Sequence, residues 1–235
     1  MQAVQEVYLH VEEVVARARQ VFPDPQSADG EGFLASGGDL SPEMLVMAYS
    51  IGVFPWFDDH SPILWWSPDP RIIFYPGKIR VSKSLKQTLG SGKYTVTFDR
   101  AFTEVIEHCS RVKRQGQKGT WITAEMKEAY INLHKEGFAH SVEAWHGDTL
   151  AGGLYGVSIG TAFFGESMFH LMTDASKVAF AHLAKRLEEW GFRFIDGQVP
   201  NPHLNTLGAV KIDRIRFLAM LHEAIQEVTR LGSWS

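Results

Sequence analysis

The sequence predicts an α+β fold, and three observations carry that prediction. Apolar residues recur at helical spacing through much of the first half of the chain. A run of alternating and aromatic-rich segments from Ala139 to Phe169 reads as antiparallel strands. A helix, a strand and a last helix then follow. With 235 residues, 45% of them hydrophobic, the chain can bury a sizeable core, and no internal repeat or long linker divides it.

Taken in order, Val4, Val7, Tyr8, Val11, Val14 and Val15 fall at helical spacing, so an amphipathic helix is expected within residues 1–20. Phe22 to Gly38 is rich in Pro, Gly, Asp and Ser and reads as a loop. Ser41 followed by Pro42 is an N-cap with a proline in the first turn, and Gly52 can close that helix. Trp56, Trp65 and Trp66 lie in a proline-punctuated stretch and suit either a small core or a stacking platform. Strand-like runs follow at 71–75 and 94–98. Asp99 is the expected cap of a helix with Phe102, Val105, Ile106 and Cys109 on one side. Thr123 caps another, with Met126, Ala129, Tyr130 and Leu133 facing a core and Gly137 as its stop.

Ala139–Trp145 and Thr149–Ser158, joined through His146, Gly147 and Asp148, read as a hairpin, and Thr161–Phe169 continues the sheet. Glu166 sits inside this last, aromatic run, and a charge in such a setting is costly enough to imply a job. Thr173 or Asp174 can cap the next helix, which carries Val178, Ala181, Leu183, Ala184, Leu187 and Trp190 and ends at Gly191. The strand from Phe192 closes on Asp196, Gly197 and Gln198, where alternation puts Asp196 and Gln198 on one face. Asp213 is the expected cap of the final helix, with Leu218, Leu221, Ala224, Ile225 and Val228 as its stripe. A hairpin followed by strand, helix and strand resembles the GNAT acyltransferase core, in which neighbouring strands splay to admit an acyl donor.

A net charge of −4 argues against a surface coated with basic groups. The distribution is uneven, however. Arg71, Lys78, Arg80, Lys83, Lys86 and Lys93 lie between Pro70 and Phe98 without an acid, and Arg111, Lys113, Arg114 and Lys118 form a second such segment. These suit either a docked polyanion or an ordinary solvated surface. The single cysteine, Cys109, excludes an internal disulfide and points to a reducing compartment, so the cytoplasm is expected. Neither a signal peptide nor a membrane span is evident. The ten histidines are scattered, no metal is expected, and phosphate-loop, nucleophile-elbow and zinc-protease motifs are absent. Phe169–Lys177, where a CoA enzyme of this fold would need a glycine-rich cradle, has no glycine, so no cofactor is expected.

With these segments in hand, the chain resembles the bacterial leucyl/phenylalanyl-tRNA–protein transferase family from about Phe22 to Leu221. The resemblance rests on Phe54-Pro-Trp-Phe57, Trp65-Trp-Ser-Pro-Asp-Pro-Arg71, Gly119-Thr-Trp-Ile-Thr123, Gly152-Gly-Leu-Tyr-Gly-Val157, Gly165-Glu-Ser-Met-Phe169, Ala175-Ser-Lys177, Ile195-Asp-Gly-Gln198 and Leu207-Gly-Ala209, all in order. It implies transfer of Leu or Phe, and less readily Met, from tRNA to the α-amino group of proteins beginning with Arg or Lys, which marks them for degradation. It also implies a small N-terminal domain over 1–69 and a GNAT-like catalytic domain over 70–235. The donor is an activated ester, so the protein has to position two substrates and manage a proton.

By the same resemblance Asp196 and Gln198 are catalytic, the carboxylate polarising the amide, whose oxygen draws a proton from the amine; since a neutral amide is a very weak base, Gln198 is expected to orient the amine while water or Asp196 carries the proton. Leu154, Phe163, Met168, Phe180, Leu183 and Ile195 line the aminoacyl pocket, and Glu166 is a candidate for binding an ammonium. Trp56 and Trp121 hold the terminal adenosine. Lys78, Arg80, Lys83, Lys86, Arg111, Lys113, Arg114 and Lys118 track the acceptor stem. A monomer is expected. Two other classes remain open: a CoA-dependent N-acyltransferase of the same fold, and a non-catalytic RNA-binding module.

Overall fold

The computed structural model describes residues 7–9, 12–112 and 122–235. In chain order the elements are β1 (Val7–Leu9), α1 (Glu12–Val21), β2 (Phe33–Ser36), α2 (Pro42–Ser50), β3 (Phe54–Pro55), β4 (Leu64–Trp66), β5 (Arg71–Phe74), α3 (Lys83–Gly90), β6 (Thr95–Phe98), α4 (Phe102–Arg111) and α5 (Ala124–Lys135). They continue with β7 (Ala139–His146), β8 (Thr149–Ile159), β9 (Ala162–His170), α6 (Ala175–Glu189), β10 (Phe194–Gln198), α7 (Pro202–Thr206), β11 (Val210–Ile212), α8 (Arg214–Ala224) and β12 (Thr229–Leu231). The α+β prediction holds.

Among the described residues the main sheet has seven strands in the order β11-β5-β10-β9-β8-β7-β6. The hairpin predicted from Gly147 supplies the fifth and sixth strands in this order, β8 and β7, with Gly147 at φ 58 in the turn. All neighbours pair antiparallel except β9 and β10, which are joined through α6 and run parallel. That parallel ladder is short: Phe194 faces Ala162, Ile195 faces Phe163, Asp196 faces Phe164, and pairing stops there. Beyond it β9 runs on to His170, while Gln198 instead faces Ile72 of β5 across an irregularity. The two strands therefore part at Asp196.

Helix ends follow the local chemistry where a hydroxyl serves. Ser41 and Thr123 accept from the backbone N–H of Met44 and Met126, and Ser82 does the same for Leu85 at the start of α3. Gly152, on β8, lets α6 approach the sheet: a Cβ there would come within 2.7 Å of the Ala175 Cβ. One apolar core runs from Val15 and Tyr49 through Val105 and Tyr130 to Phe194 and Leu221. A second, under α6, joins Phe74, Phe163, Phe180, Leu183 and Trp234.

Several sequence expectations fail for long-range reasons. The expected N-terminal helix starts only at Glu12, because Val7–Leu9 pairs as a strand with Thr229–Leu231; Val4 and Val11 lie outside the described residues. The loop after Phe22 contains β2, which pairs with β4. Asp99 caps nothing. It adopts a left-handed backbone (φ 55), and its carboxylate accepts from the Ser141 and Trp234 backbone N–H groups and bonds His140. Asp174 and Asp213 occupy cap positions without a side-chain cap bond. Asp174 binds Lys177 instead, and Asp69 accepts from the Arg214 N–H. Helix α8 ends at Ala224, short of Val228, because the chain turns there into β12.

Candidate active site

The opening between β9 and β10 is a cavity of about 810 Å³. Its walls come from β8, β9, α6, β10 and the segment running into α7, with Phe54, Pro55 and Trp56 on another side. Leu154, Phe163, Glu166, Met168, Phe180, Leu183 and Ile195 all line it, as do Asp196, Gln198 and Trp56. Strand alternation aims Phe163 and Ile195 at it, and helical spacing aims Phe180 and Leu183 at the same space. Phe180 packs edge-on against Phe74, ring centroids 4.9 Å apart, which stiffens the apolar end.

The polar end is a hydrogen-bonded cluster. Glu166 Oε1 accepts from the Tyr49 hydroxyl at 2.7 Å and from the Gln198 side-chain nitrogen at 2.7 Å, and Oε2 accepts from the Tyr130 hydroxyl at 3.1 Å. The two tyrosine oxygens also lie within hydrogen-bonding reach of each other, a contact that has a proton of its own only when Glu166 is protonated, because each hydroxyl carries one. Burial raises the Glu166 carboxyl to about 7; the tyrosine hydroxyls and the Gln198 amide pull it back, while the Asp196 charge adds to the rise. Burial and the neighbouring Glu166 in turn hold Tyr49 and Tyr130 well above the usual phenol range, so both hydroxyls are donors at neutral pH.

Asp196 is fully buried and faces Arg71, which is equally buried. Arg71 Nε lies 3.0 and 3.1 Å from the two carboxylate oxygens and Nη2 lies 2.6 Å from Oδ2, a bidentate pair. Asp196 Oδ1 also accepts the backbone N–H of Gln198 at 2.8 Å, and Gln198 is left-handed, at φ 61. The expected contact between a carboxylate and the Gln198 amide exists, but Glu166 makes it; Asp196 holds the backbone of Gln198 instead.

Trp56 is half-buried at the cavity and packs edge-on against Trp66, whose Nε1–H donates to the Trp56 carbonyl. Trp65 is core, donating to Gly37. Lys78, Arg80, Lys83 and Lys86 are exposed and lie outside the cavity lining. Arg80 is close to it, since its N–H donates to the carbonyl of Leu207, three residues beyond the lining residue Leu204. Arg111 is exposed, pairs with Glu107 at 2.7 Å and does not line the cavity. Lys113, Arg114, Lys118 and Trp121 lie outside the described residues.

Arg71 falls in the basic segment by sequence, but burial and the Asp196 pair remove it from that surface. It, Tyr49 and Tyr130, which the sequence places only in the core, are the site residues that sequence reasoning missed. For Arg71 the signal was the one that exposed Glu166, a charge opening the apolar run Arg71–Phe74. For Tyr49 it was a hydroxyl in an otherwise apolar helix, which must find a partner when buried. Among the described residues no group of three or more His, Cys, Asp or Glu is arranged to hold a metal ion, and no helix is long and apolar enough to cross a membrane.

Comparison with known proteins agrees with the resemblance. Residues 73–222 match the family described as leucyl/phenylalanyl-tRNA protein transferase, and residues 38–69 match the N-terminal domain of that family. A leucyl/phenylalanyl-tRNA–protein transferase of Myxococcus xanthus is 55% identical over 92% of each chain. One from Maridesulfovibrio salexigens is 54% identical over 91% of this chain and 90% of that one. Among solved structures, L-PGS from Bacillus licheniformis is a distant neighbour, with a TM-score of 0.38, 11% identity, and coverage of 68% of this chain and 51% of that chain.

Proposed function

The chain belongs to the leucyl/phenylalanyl-tRNA–protein transferase family, and on that premise we propose how its cavity performs the transfer. The enzyme is an aminoacyltransferase that moves a leucyl or phenylalanyl group, and less readily a methionyl group, from tRNA to the α-amino group of a protein beginning with Arg or Lys. One observation carries this reading: an apolar end and a polar, carboxylate-bearing end meet in one cavity where two strands part. The apolar end suits the side chain of the donor, and the polar end suits an incoming ammonium.

The reaction joins the acceptor nitrogen to the ester carbonyl carbon and releases the ribose oxygen as a hydroxyl. The ammonium must lose one proton before attack, and a second proton leaves the nitrogen as the leaving oxygen gains one. Gln198, its amide nitrogen committed to Glu166, offers its carbonyl oxygen to orient the amine. Glu166, at about 7, lies roughly one pKa unit below an α-amino group, so taking the first proton costs on the order of 1 kcal/mol. Asp196 is paired with the Arg71 guanidinium, whereas Glu166 accepts from neutral hydroxyl and amide groups and burial raises its carboxyl to about 7, so Glu166 or a water is the better acceptor.

Trp56 is read as a stacking surface for the terminal adenosine, and Lys78, Arg80, Lys83 and Lys86 as contacts to the acceptor stem. The parting of β9 and β10 supports a GNAT-like core over 70–235, and the separate β2-β4-β3 sheet supports a small N-terminal domain over 1–69. The single, buried cysteine supports action in the cytoplasm, and a monomer suffices because one chain supplies every group named.

The test is direct. Labelled Phe-tRNA is mixed with a peptide beginning with Arg and, separately, with its N-acetylated copy. Label should pass to the free amine alone. Absence of transfer from Phe-, Leu- and Met-tRNA alike would leave the fold without this reaction and turn attention to acyl-CoA donors.

A further inference from the structure

Arg71 makes contacts that no substrate-binding role requires. Its guanidinium lies over two aromatic rings, 4.9 Å from the Phe54 centroid and 4.3 Å from that of Phe217. Nε and Nη2 take the two oxygens of Asp196, and Nη1 donates to the carbonyl of Gly52 at 3.1 Å. Gly52 lies two residues past the end of helix α2 and three after Tyr49. The backbone is tight there: at φ 78, a Cβ on Gly52 would come within 2.7 Å of Leu218 and 2.9 Å of Phe217.

These bonds close a circuit. From Arg71 it runs through Asp196 to the Gln198 backbone N–H, then through the Gln198 side chain to Glu166. It continues from Glu166 to the Tyr49 hydroxyl and along the end of α2 to Gly52, whose carbonyl returns it to Arg71. Register reinforces it, because Ile72 and Ile73, the residues after Arg71, face Gln198 and Asp196 across the β5–β10 ladder. The polar end of the cavity thus hangs, on one side or the other, from one guanidinium that is not itself part of the cavity lining.

Building on the transferase reading, we propose that Arg71 is the positioning residue of the site: it fixes Asp196 as the acceptor of the Gln198 backbone N–H and so sets the Gln198 amide against Glu166. Asp196 then acts through Gln198 and not on the substrate. A lysine cannot replace this arrangement, because an ammonium has no planar fork with which to bind two oxygens and a third carbonyl together.

The experiment measures transfer of labelled Phe from Phe-tRNA to an Arg-initiated peptide by wild type, Arg71→Lys, Asp196→Asn, and the double variant Arg71→Gln/Asp196→Asn. In the double variant a neutral amide pair can still leave one oxygen to accept the Gln198 N–H. Positioning predicts that Arg71→Lys lowers kcat at least tenfold with peptide KM changed less than threefold. It also predicts that the double variant regains at least tenfold of the kcat lost in Asp196→Asn. Full kcat in Arg71→Lys, or a rise in KM that accounts for its whole defect, overturns the proposal. So does a folded double variant no more active than Asp196→Asn, the result expected if the Asp196 carboxylate acts on substrate itself. Should Arg71→Lys fail to fold, the comparison between the double variant and Asp196→Asn decides alone. A wild-type protein that transfers nothing would sink the function, and the inference would then be decided by the crystal structure of Arg71→Lys, where a Gln198 amide still bonded to Glu166 overturns it and a displaced one supports it.

Discussion

Gln198 reaches Glu166 from a strained backbone: its side-chain nitrogen lies 2.7 Å from Glu166 Oε1 while its own φ is 61. A left-handed glutamine persists only where its surroundings insist on it, and here Asp196 Oδ1 holds the N–H from one side while Glu166 holds the amide from the other. The strain sits where the two strands part, so the geometry that opens the cavity also aims the glutamine into it.

Glu166 governs the first prediction. Its carboxyl is raised from 4.5 to about 7, so the folded protein binds a proton between those values that the unfolded chain has released. Stability on this account is highest in acid and is lost as the pH rises through 7, by at most about 3 kcal/mol. Glu166→Gln removes that dependence, and urea melts at pH 5 and pH 8 should show the variant gaining on wild type as the pH rises. The acid limb of the kcat profile near pH 7 should vanish together with most of the activity. Persistence of that limb in the variant would move the proton to another group.

Gln198 separates strain from function. Gln198→Ala keeps the left-handed cost and loses the amide, whereas Gln198→Gly loses both. Both variants should lose transfer to a similar degree, and the glycine variant should be the more stable by about 1 kcal/mol in chemical denaturation. A glycine variant less stable than the alanine one would mean that the conformation is unstrained.

The apolar end sets donor preference through shape. Phe180 lines it together with Leu154, Leu183 and Ile195, and Phe180→Leu enlarges it without adding a polar atom. A phenylalanyl group can use the added room and a leucyl group leaves it empty, so the Phe:Leu ratio of kcat/KM should rise about threefold to tenfold, within the discrimination that apolar pockets reach. An unchanged ratio in competition between the two charged tRNAs would put the donor side chain elsewhere.

What was legible in the sequence was local. Ser41 and Thr123 announced their helices because a hydroxyl and the N–H it accepts lie three residues apart, and Gly147 announced its hairpin for a similar reason. Alternation placed Asp196 and Gln198 at one strand end, although it missed the irregularity between them. The pairing of Arg71 with Asp196 spans 125 residues, that of Tyr49 with Glu166 spans 117, and β1 meets β12 from the far end of the chain. No periodicity carries such information. The apolar wall was nameable only through resemblance, since Phe163 or Leu183 read alone are ordinary core residues.

Asp99 exemplifies the same limit, and its partners bring the last prediction. His140 lies flat on Trp234, ring centroids 3.8 Å apart, while its Nδ1 bonds Asp99 Oδ2 at 2.9 Å. His140 Nε2 is buried without a partner among the described residues, which suits a neutral ring donating from Nδ1. Burial pushes the imidazole below its usual range despite Asp99. Asp99, which burial alone would raise, is held below the carboxylate range by His140 and the backbone N–H groups of Trp234 and Ser141. Both shifts have the same sign in stability. The unfolded chain binds a proton at each group before the folded one does, so their contribution is complete above about pH 6.5 and is lost on acidification. Trp234 also ties this cluster to the cavity, because its carbonyl accepts from Arg186 of α6, the helix that carries Phe180 and Leu183. Trp234→Ala should cost about 3–5 kcal/mol, on the order of 10 °C in Tm. By wetting His140, it should also flatten the loss of stability between pH 7 and pH 5. Thermal melts of both proteins across that range are the check, and parallel curves would show that the tryptophan packs without governing the protonation beneath it.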